Sequence, residues 1–92
     1  MLFAIHCLDK EGVLEKRMSV MQAHRDYLAT APVTVVMSGP LMSDDEQTII
    51  GSFYLIEAAD RAAIEAFQKD DPLVAADLWK SMHATVFHKR VG

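Results

Sequence analysis

Two kinds of apolar periodicity alternate along the 92-residue chain, and their order leaves few folds open. Residues 2–8 (LFAIHCL) form a short apolar run in which neither alternating set is clearly polar, which predicts a strand covered on both faces. From Leu14 to about Ala29 the spacing becomes helical. The apolar stripe of this helix is predicted to contain Leu14, Met18, Met21 and Leu28.

Two β-type segments follow, after Pro32 ends the helix. Residues 33–37 (VTVVM) predict a strand that Ser38-Gly39-Pro40 is expected to end. Residues 48–57 (TIIGSFYLIE) predict a second strand, and the polar loop between the two indicates a hairpin. Within the second strand, Gly51 is typical of a close backbone approach.

The last third of the chain contains another helix and another strand. Asp60 is typical of an N-cap for the helix RAAIEAFQK, residues 61–69. Asp71-Pro72 breaks the chain before a short helical turn, and residues 79–89 form a β-like run. The order β-α-β-β-α-β predicts one α+β domain, residues 1–92, of the ferredoxin-like type, with two helices on one face of a four-stranded antiparallel sheet.

The composition of the chain limits the partners and the cellular compartment that we expect for the protein. Hydrophobic residues make up 51% of the chain, more than one small core requires, so we expect a homodimer that covers the open face of the sheet. The net charge of −4 and the scattered basic residues argue against nucleic acid as a partner. No apolar run is long enough to span a membrane and no signal peptide is recognisable, so the expected compartment is the cytoplasm.

His24 and Asp71 are the residues most suited to acid–base chemistry. His24 falls at the edge of the predicted stripe, where it is either a half-buried histidine bound to a carbonyl or a general acid or base held by a carboxylate. Asp71 before Pro72 is an ordinary N-cap, yet a capping carboxylate is fixed in orientation and can also hold a histidine.

No metal or cofactor site is expected. His6, His83 and His88 lack the HxH or HExxH spacing, and the single cysteine, Cys7, adds no cluster. The glycines form no phosphate-binding loop. Ser52 offers a hydroxyl to a pocket, although an ordinary strand serine is the simpler interpretation.

Taken in order, several segments resemble the YciI-like (YCII-related) family over nearly the whole chain. The matching segments are MLFAIHCLDKEGVLEKR, Arg17 through AHRDYL, Ser38-Gly39-Pro40-Leu41, Gly51-Ser52 and EAADRAAIEAFQKDDPLVAADLW. The resemblance implies a dimeric α+β barrel fold, in which sheet packs on sheet, and a histidine–aspartate pair at a pocket, corresponding to His24 and Asp71.

Two positions depart from the family pattern. Asp77 stands where the family usually has glycine, so an additional carboxylate is expected near the rim of the pocket. Thr30-Ala31-Pro32 replaces a segment in which a glycine often precedes the second strand. Neither departure threatens the fold.

Two functions remain open on the sequence. The first is a small cofactor-free enzyme, which the resemblance implies to be a lyase or isomerase acting on a small cyclic substrate by dechlorination or lactone isomerisation. In it His24 and Asp71 are catalytic, and Arg17 and Ser52 bind the substrate's oxygens, although Arg17 equally suits a surface ion pair. The second is a non-catalytic dimeric module that binds a small molecule or a protein. A redox or haem-binding barrel ranks third because no histidine occupies a recognisable cofactor motif.

Overall fold

The predicted order of elements is confirmed. The computed structural model describes residues 1–92. Its elements are β1 (Leu2–Asp9), α1 (Leu14–Thr30), β2 (Thr34–Met42), β3 (Ile49–Glu57), α2 (Arg61–Lys69), α3 (Pro72–Ala75) and β4 (Trp79–Phe87). The strands form one sheet in the order β2-β3-β1-β4, with every neighbouring pair antiparallel. This is the ferredoxin-like arrangement, with α3 as a single additional turn of helix.

The core lies between the helices and one face of the sheet. From β1 it takes Phe3, Ile5 and Cys7, which are fully buried and contact apolar residues of β3 and α2. Asp60 caps α2 as predicted, accepting a hydrogen bond from the Ala63 amide at 2.9 Å. None of the helices combines the length and the apolar character that crossing a membrane requires.

The opposite face of the sheet has no helix over it. Four residues of β1, Leu2, Ala4, His6 and Leu8, lie on this side, which we call the open sheet face. Their β3 neighbours there include Phe53, which is partly buried, and Leu55, which is buried. The expectation that β1 is buried on both sides therefore fails within a single chain, because nothing in that chain covers the open sheet face.

The predicted stripe of α1 is wrong in part. Leu14 and Met18 are 45% and 58% exposed, whereas Arg17 and His24 are 1% and 5% exposed and face the sheet. Residues 17 and 24 are seven apart, so they lie on the same side of a helix. Two polar residues occupy the buried side because each has a partner there, which a hydrophobic pattern alone cannot reveal.

The first strand of the hairpin is longer than predicted. β2 continues through Ser38-Gly39-Pro40 to Met42 instead of ending at residue 37. β2 is an edge strand with a neighbour on one side only. Proline is tolerated on such a strand because the N–H that it lacks is not needed by a second neighbouring strand. The register shifts between Val35 and Met37, so one residue bulges there. Gly39 is therefore an internal strand residue, not a strand end.

Candidate functional site

His24 and Asp71 meet beneath α1. The His24 Nδ1 lies 2.9 Å from the Asp71 Oδ1, although the two residues are 47 positions apart. α1 brings the imidazole toward the sheet, and the start of α3 brings the carboxylate to it from the side. An ionised carboxylate has no proton to give, so the Nδ1 carries the hydrogen and the Nε2 presents its lone pair when the ring is neutral.

Asp71 is held by three donors. Its Oδ1 accepts from the Leu73 amide at 2.9 Å, as expected of an N-cap, and from the imidazole of His24. Its Oδ2 accepts from the Tyr54 hydroxyl at 3.3 Å. The carboxylate is 1% exposed, so these hydrogen bonds replace its hydration and fix its plane. The cap and the histidine partner are thus the same group.

Arg17, which lies about two turns before His24 on α1, forms a buried ion pair. Its Nε and Nη2 donate to the two carboxylate oxygens of Asp9 at 2.7 and 2.8 Å, and its Nη2 also donates to the Ser52 hydroxyl at 2.8 Å. Its Nη1 has only the thioether of Met21, at 3.9 Å, as a partner. Sulfur is a weak acceptor, so this end of the guanidinium can still donate to an oxygen. The surface ion pair considered from the sequence is in fact buried.

Tyr54 lies on the same face of β3 as Ser52 and donates a hydrogen bond to Asp71. Burial and the negative charge of Asp71 raise the pKa of Tyr54, while a hydrogen bond from Ser52 opposes that rise. The phenol therefore keeps its proton at neutral pH and can donate it to Asp71. Hydrogen bonds therefore join Tyr54 and His24 to Asp71, and a second set joins Arg17 to Asp9 and Ser52 beside them.

Cys7 lies close to these residues but is not suited to nucleophilic chemistry. Burial, followed by the negative charge of Asp71, raises the pKa of its thiol to about 12. The thiolate is the reactive form of cysteine, so this side chain stays protonated and inert at neutral pH. Its role is to fill the core.

A cavity of about 240 Å³ opens between α1 and the hairpin of β2 and β3. Three of the predicted residues, Arg17, His24 and Ser52, line it, together with Tyr54, while Asp71 stands behind the imidazole. The His24 Nε2 has no hydrogen-bond partner in the chain, and it is not among the polar atoms sealed from solvent. The free ring nitrogen therefore remains accessible, and His24 adjoins the cavity.

A larger cavity, of about 440 Å³, lies beside the turn between β1 and α1. Neither His24 nor Ser52 lines it. Of the two buried ion pairs, Arg17 with Asp9 and His24 with Asp71, only Asp9 is among its lining residues. The smaller cavity is the better candidate site because the groups able to move a proton and bind an oxygen converge there.

Sequence reasoning missed two members of the network and misplaced one residue. Tyr54 is two residues after Ser52 on a strand, so the alternation of side chains already put both on the same face. Asp9 carried no local signal. Asp77 does not lie at the rim of the cavity with His24; it pairs with Lys10 at 2.7 Å and has a φ of 56°, in the region that favours the glycine usual for the family.

Comparison with protein families gives one match that spans nearly the whole chain. The model of the YCII-related domain matches residues 1–88. The proteins named YciI of Escherichia coli O6:H1 and of Shigella flexneri are each 32% identical to the chain, and the alignment covers 97% of this chain and 98% of theirs.

Two solved structures are similar to the fold. The 5-chloro-2-hydroxyhydroquinone dehydrochlorinase of Burkholderia phenoliruptrix, in complex with 2,5-dihydroxybenzoquinone, has a TM-score of 0.86 and 27% identity, covering 96% of this chain and 94% of that one. A NIPSNAP domain protein from Burkholderia xenovorans has a TM-score of 0.55 and 13% identity, covering 98% and 95%. The second similarity concerns the fold alone.

Proposed function

The chain belongs to the YCII-related domain family, and on that premise we propose that it is a small cofactor-free enzyme in which His24 transfers a proton on a cyclic, oxygenated substrate. One observation carries the proposal: an imidazole held by a buried carboxylate at 2.9 Å has its other nitrogen free beside a cavity. The second nitrogen of the ring is thereby available to exchange a proton with a ligand in the cavity.

The chemistry follows from the orientation of the ring. The His24 Nε2 can accept a proton from a ring hydroxyl, or from a C–H that a neighbouring carbonyl acidifies. Asp71 stabilises the imidazolium that results, as a carboxylate does for the histidine of a catalytic triad. For a chlorinated quinol, the carbon that bears chlorine first gains a proton to form the keto tautomer; loss of a hydroxyl proton to His24 with departure of chloride then gives the quinone with net loss of HCl. Return of the proton to another carbon, without loss of a leaving group, completes an isomerisation.

Arg17 and Ser52 are proposed to bind the substrate's oxygens. The Nη1 of Arg17 lacks a strong acceptor, since its one partner is the thioether of Met21, and both residues line the cavity. The Ser52 hydroxyl accepts from Arg17, which fixes its oxygen. Both groups are held before a ligand arrives, and a preformed donor set favours binding.

The substrate class is suggested by the structural neighbour that acts on 5-chloro-2-hydroxyhydroquinone. A chlorinated polyhydroxybenzene has acidic hydroxyls and a leaving group on one small ring, which suits proton transfer at a cavity of about 240 Å³. We therefore propose chlorinated quinols first, and lactones and related cyclic acids second, as compounds to test.

The test is turnover by His24→Asn. Asparagine places its amide nitrogen where histidine has Nδ1, so the hydrogen bond to Asp71 can be kept while the Nε2 is lost. With 5-chloro-2-hydroxyhydroquinone under anaerobic conditions, we expect chloride release by the native protein and a fall in kcat of about 10²–10⁴-fold in the variant. The midpoint of thermal unfolding, measured in parallel, should change little.

Asp71→Asn is the matched variant. Its amide oxygen can still accept from Leu73 and His24, so the charge is removed while the cap is kept, and a smaller fall in kcat is expected than for His24→Asn. An unchanged kcat in His24→Asn would rule out the proposed base. If the native protein turns over none of the three compound classes, the non-catalytic binding module becomes the better explanation.

We also propose that the protein is a homodimer joined through the open sheet face. Apart from Glu57 at the end of β3, this face carries no acidic residue, lysine or arginine, and its members include Met37 and Phe87, which are 56% and 42% exposed. An uncovered apolar sheet of this kind is typical of an association surface. A second copy of the same face is its simplest cover.

Light scattering after gel filtration measures this association directly. The native protein should have about twice the 10.3 kDa mass of one chain. Phe53→Asp places a charge at the middle of the open sheet face and should give a monomer that keeps its far-ultraviolet circular dichroism. Met18→Asp, a comparable change on the exposed side of α1, should leave the dimer intact. A native protein of monomeric mass would contradict the proposal.

A further inference from the structure

The charged residues that line the cavity with His24 are all basic. Its charged lining residues are Arg17 and Arg25, and no aspartate or glutamate lines it. The whole chain has a net charge of −4, so the charge of the cavity lining is opposite in sign to the net charge of the protein. A cavity of this kind attracts anions more than the rest of the surface does.

The two arginines are not equivalent. Arg17 is neutralised by the two-point contact with Asp9, at 2.7 and 2.8 Å. Arg25 forms no ion pair, since the ion pairs of the chain involve Arg17, Lys10, His24 and the N-terminus. Arg25 is therefore the unneutralised cation at the edge of the cavity.

Arg25 is also held in position along α1. Its Nη2 donates to the Gln22 Oε1 at 3.0 Å, and the Gln22 Nε2 donates to the Asp26 carboxylate at 2.8 Å. Arg25 thus binds the amide of Gln22 and not the Asp26 carboxylate, which the same amide occupies. The remaining guanidinium donors of Arg25 have no partner in the chain and are free to bind a ligand.

Proton transfer to His24 leaves a negative charge on the substrate's oxygen, and that charge has to be stabilised within the cavity. Asp71 already balances the imidazolium, and Asp9 already balances Arg17. We propose that Arg25 binds this oxyanion and makes the cavity selective for cyclic ligands that carry an ionised hydroxyl or carboxylate. The inference rests on the proposed function, because it gives the substrate class of the same site.

The experiment is calorimetric binding at pH 7 of two small rings. The first is 2,5-dihydroxybenzoquinone, which is ionised at neutral pH because each hydroxyl is conjugated to a carbonyl. The second is hydroquinone, a similar ring whose phenolic groups ionise only near pH 10. The variants are Arg25→Gln, Arg25→Lys and Lys16→Gln, the last removing one positive charge from α1 at an exposed position outside the cavity.

We expect the native protein to bind 2,5-dihydroxybenzoquinone more tightly than hydroquinone. Arg25→Gln should weaken binding of the anion about tenfold, as expected for loss of a charge-assisted hydrogen bond, and should leave hydroquinone binding unchanged. Arg25→Lys should keep most of the preference for the anion. Lys16→Gln should have no effect, because the selectivity is local to the cavity.

Three results would overturn the inference. They are an equal loss of both ligands in Arg25→Gln, an unchanged affinity for the anion in that variant, and no binding of 2,5-dihydroxybenzoquinone to the native protein. None of these touches the role of His24, which the chloride-release assay with His24→Asn decides separately. The two proposals can therefore fail independently.

Discussion

Replacing Arg17 with methionine should lower the free energy of unfolding by about 3–5 kcal/mol, the usual effect of leaving one member of a buried ion pair without its partner. The side chains of Arg17 and Asp9 are 1% and 5% exposed, so water cannot replace the lost guanidinium. The Ser52 hydroxyl loses its donor as well. Urea denaturation at one fixed protein concentration measures the change, because association would make the stability depend on concentration.

The double variant Arg17→Met with Asp9→Leu is the control. It removes both charges and fills the space with apolar side chains, and buried pairs replaced in this way often leave stability nearly unchanged. Most of the stability lost in the single variant should therefore return. A single variant within about 1 kcal/mol of the native protein would show that Asp9 finds other partners or water, and the buried ion pair would then not be important for the fold.

Gly51→Ala should be the most damaging small substitution in the sheet. An added Cβ would overlap the backbone carbonyl oxygen of Cys7 on β1 and would approach the Leu41 side chain to 3.2 Å. A neighbouring backbone cannot move aside as a side chain can, so the pairing of β3 with β1 would have to give way. We expect a loss of about 3 kcal/mol or more, at the upper end of the range for overpacking.

Gly39→Ala is the matched control, because this glycine also lies on the open sheet face but has no atom within 4 Å of an added Cβ. It should be neutral or should stabilise the chain by roughly 0.4–1 kcal/mol, through the lower entropy of the unfolded state. Measuring both variants together with Phe53→Asp would separate strain within one chain from any effect on association. Equal effects of the two alanines would contradict the close approach at Gly51.

The bounds of the helices could be predicted closely from the sequence. α1 was expected from Leu14 to about Ala29 and runs from Leu14 to Thr30, and α2 occupies the predicted residues 61–69. Pro32, Asp60 and Asp71-Pro72 act on residues within a few positions of themselves. Signals of this kind are local, so they can be recognised in the sequence without knowledge of the rest of the fold.

The buried side of α1 could not be predicted in the same way. A hydrophobic scale assigns Leu14 and Met18 to the core and treats arginine as a surface residue. The structure reverses this, because Asp9 and Ser52 provide Arg17 with partners that make its burial possible. Those partners come from β1 and β3, at distances along the chain of 8 and 35 residues.

The sequence by itself therefore determined the order of the elements, their approximate ends and the capping role of Asp71, since each depends on neighbours along the chain. The family resemblance implied the pairing of His24 with Asp71, but the tertiary structure alone gave its geometry, added Tyr54 as a second donor to Asp71, and placed Asp77 elsewhere with Lys10. The physical reason is that hydrogen bonds between distant segments form only where packing brings donors and acceptors within about 3 Å, with the groups desolvated. Residue type and local spacing do not encode that distance.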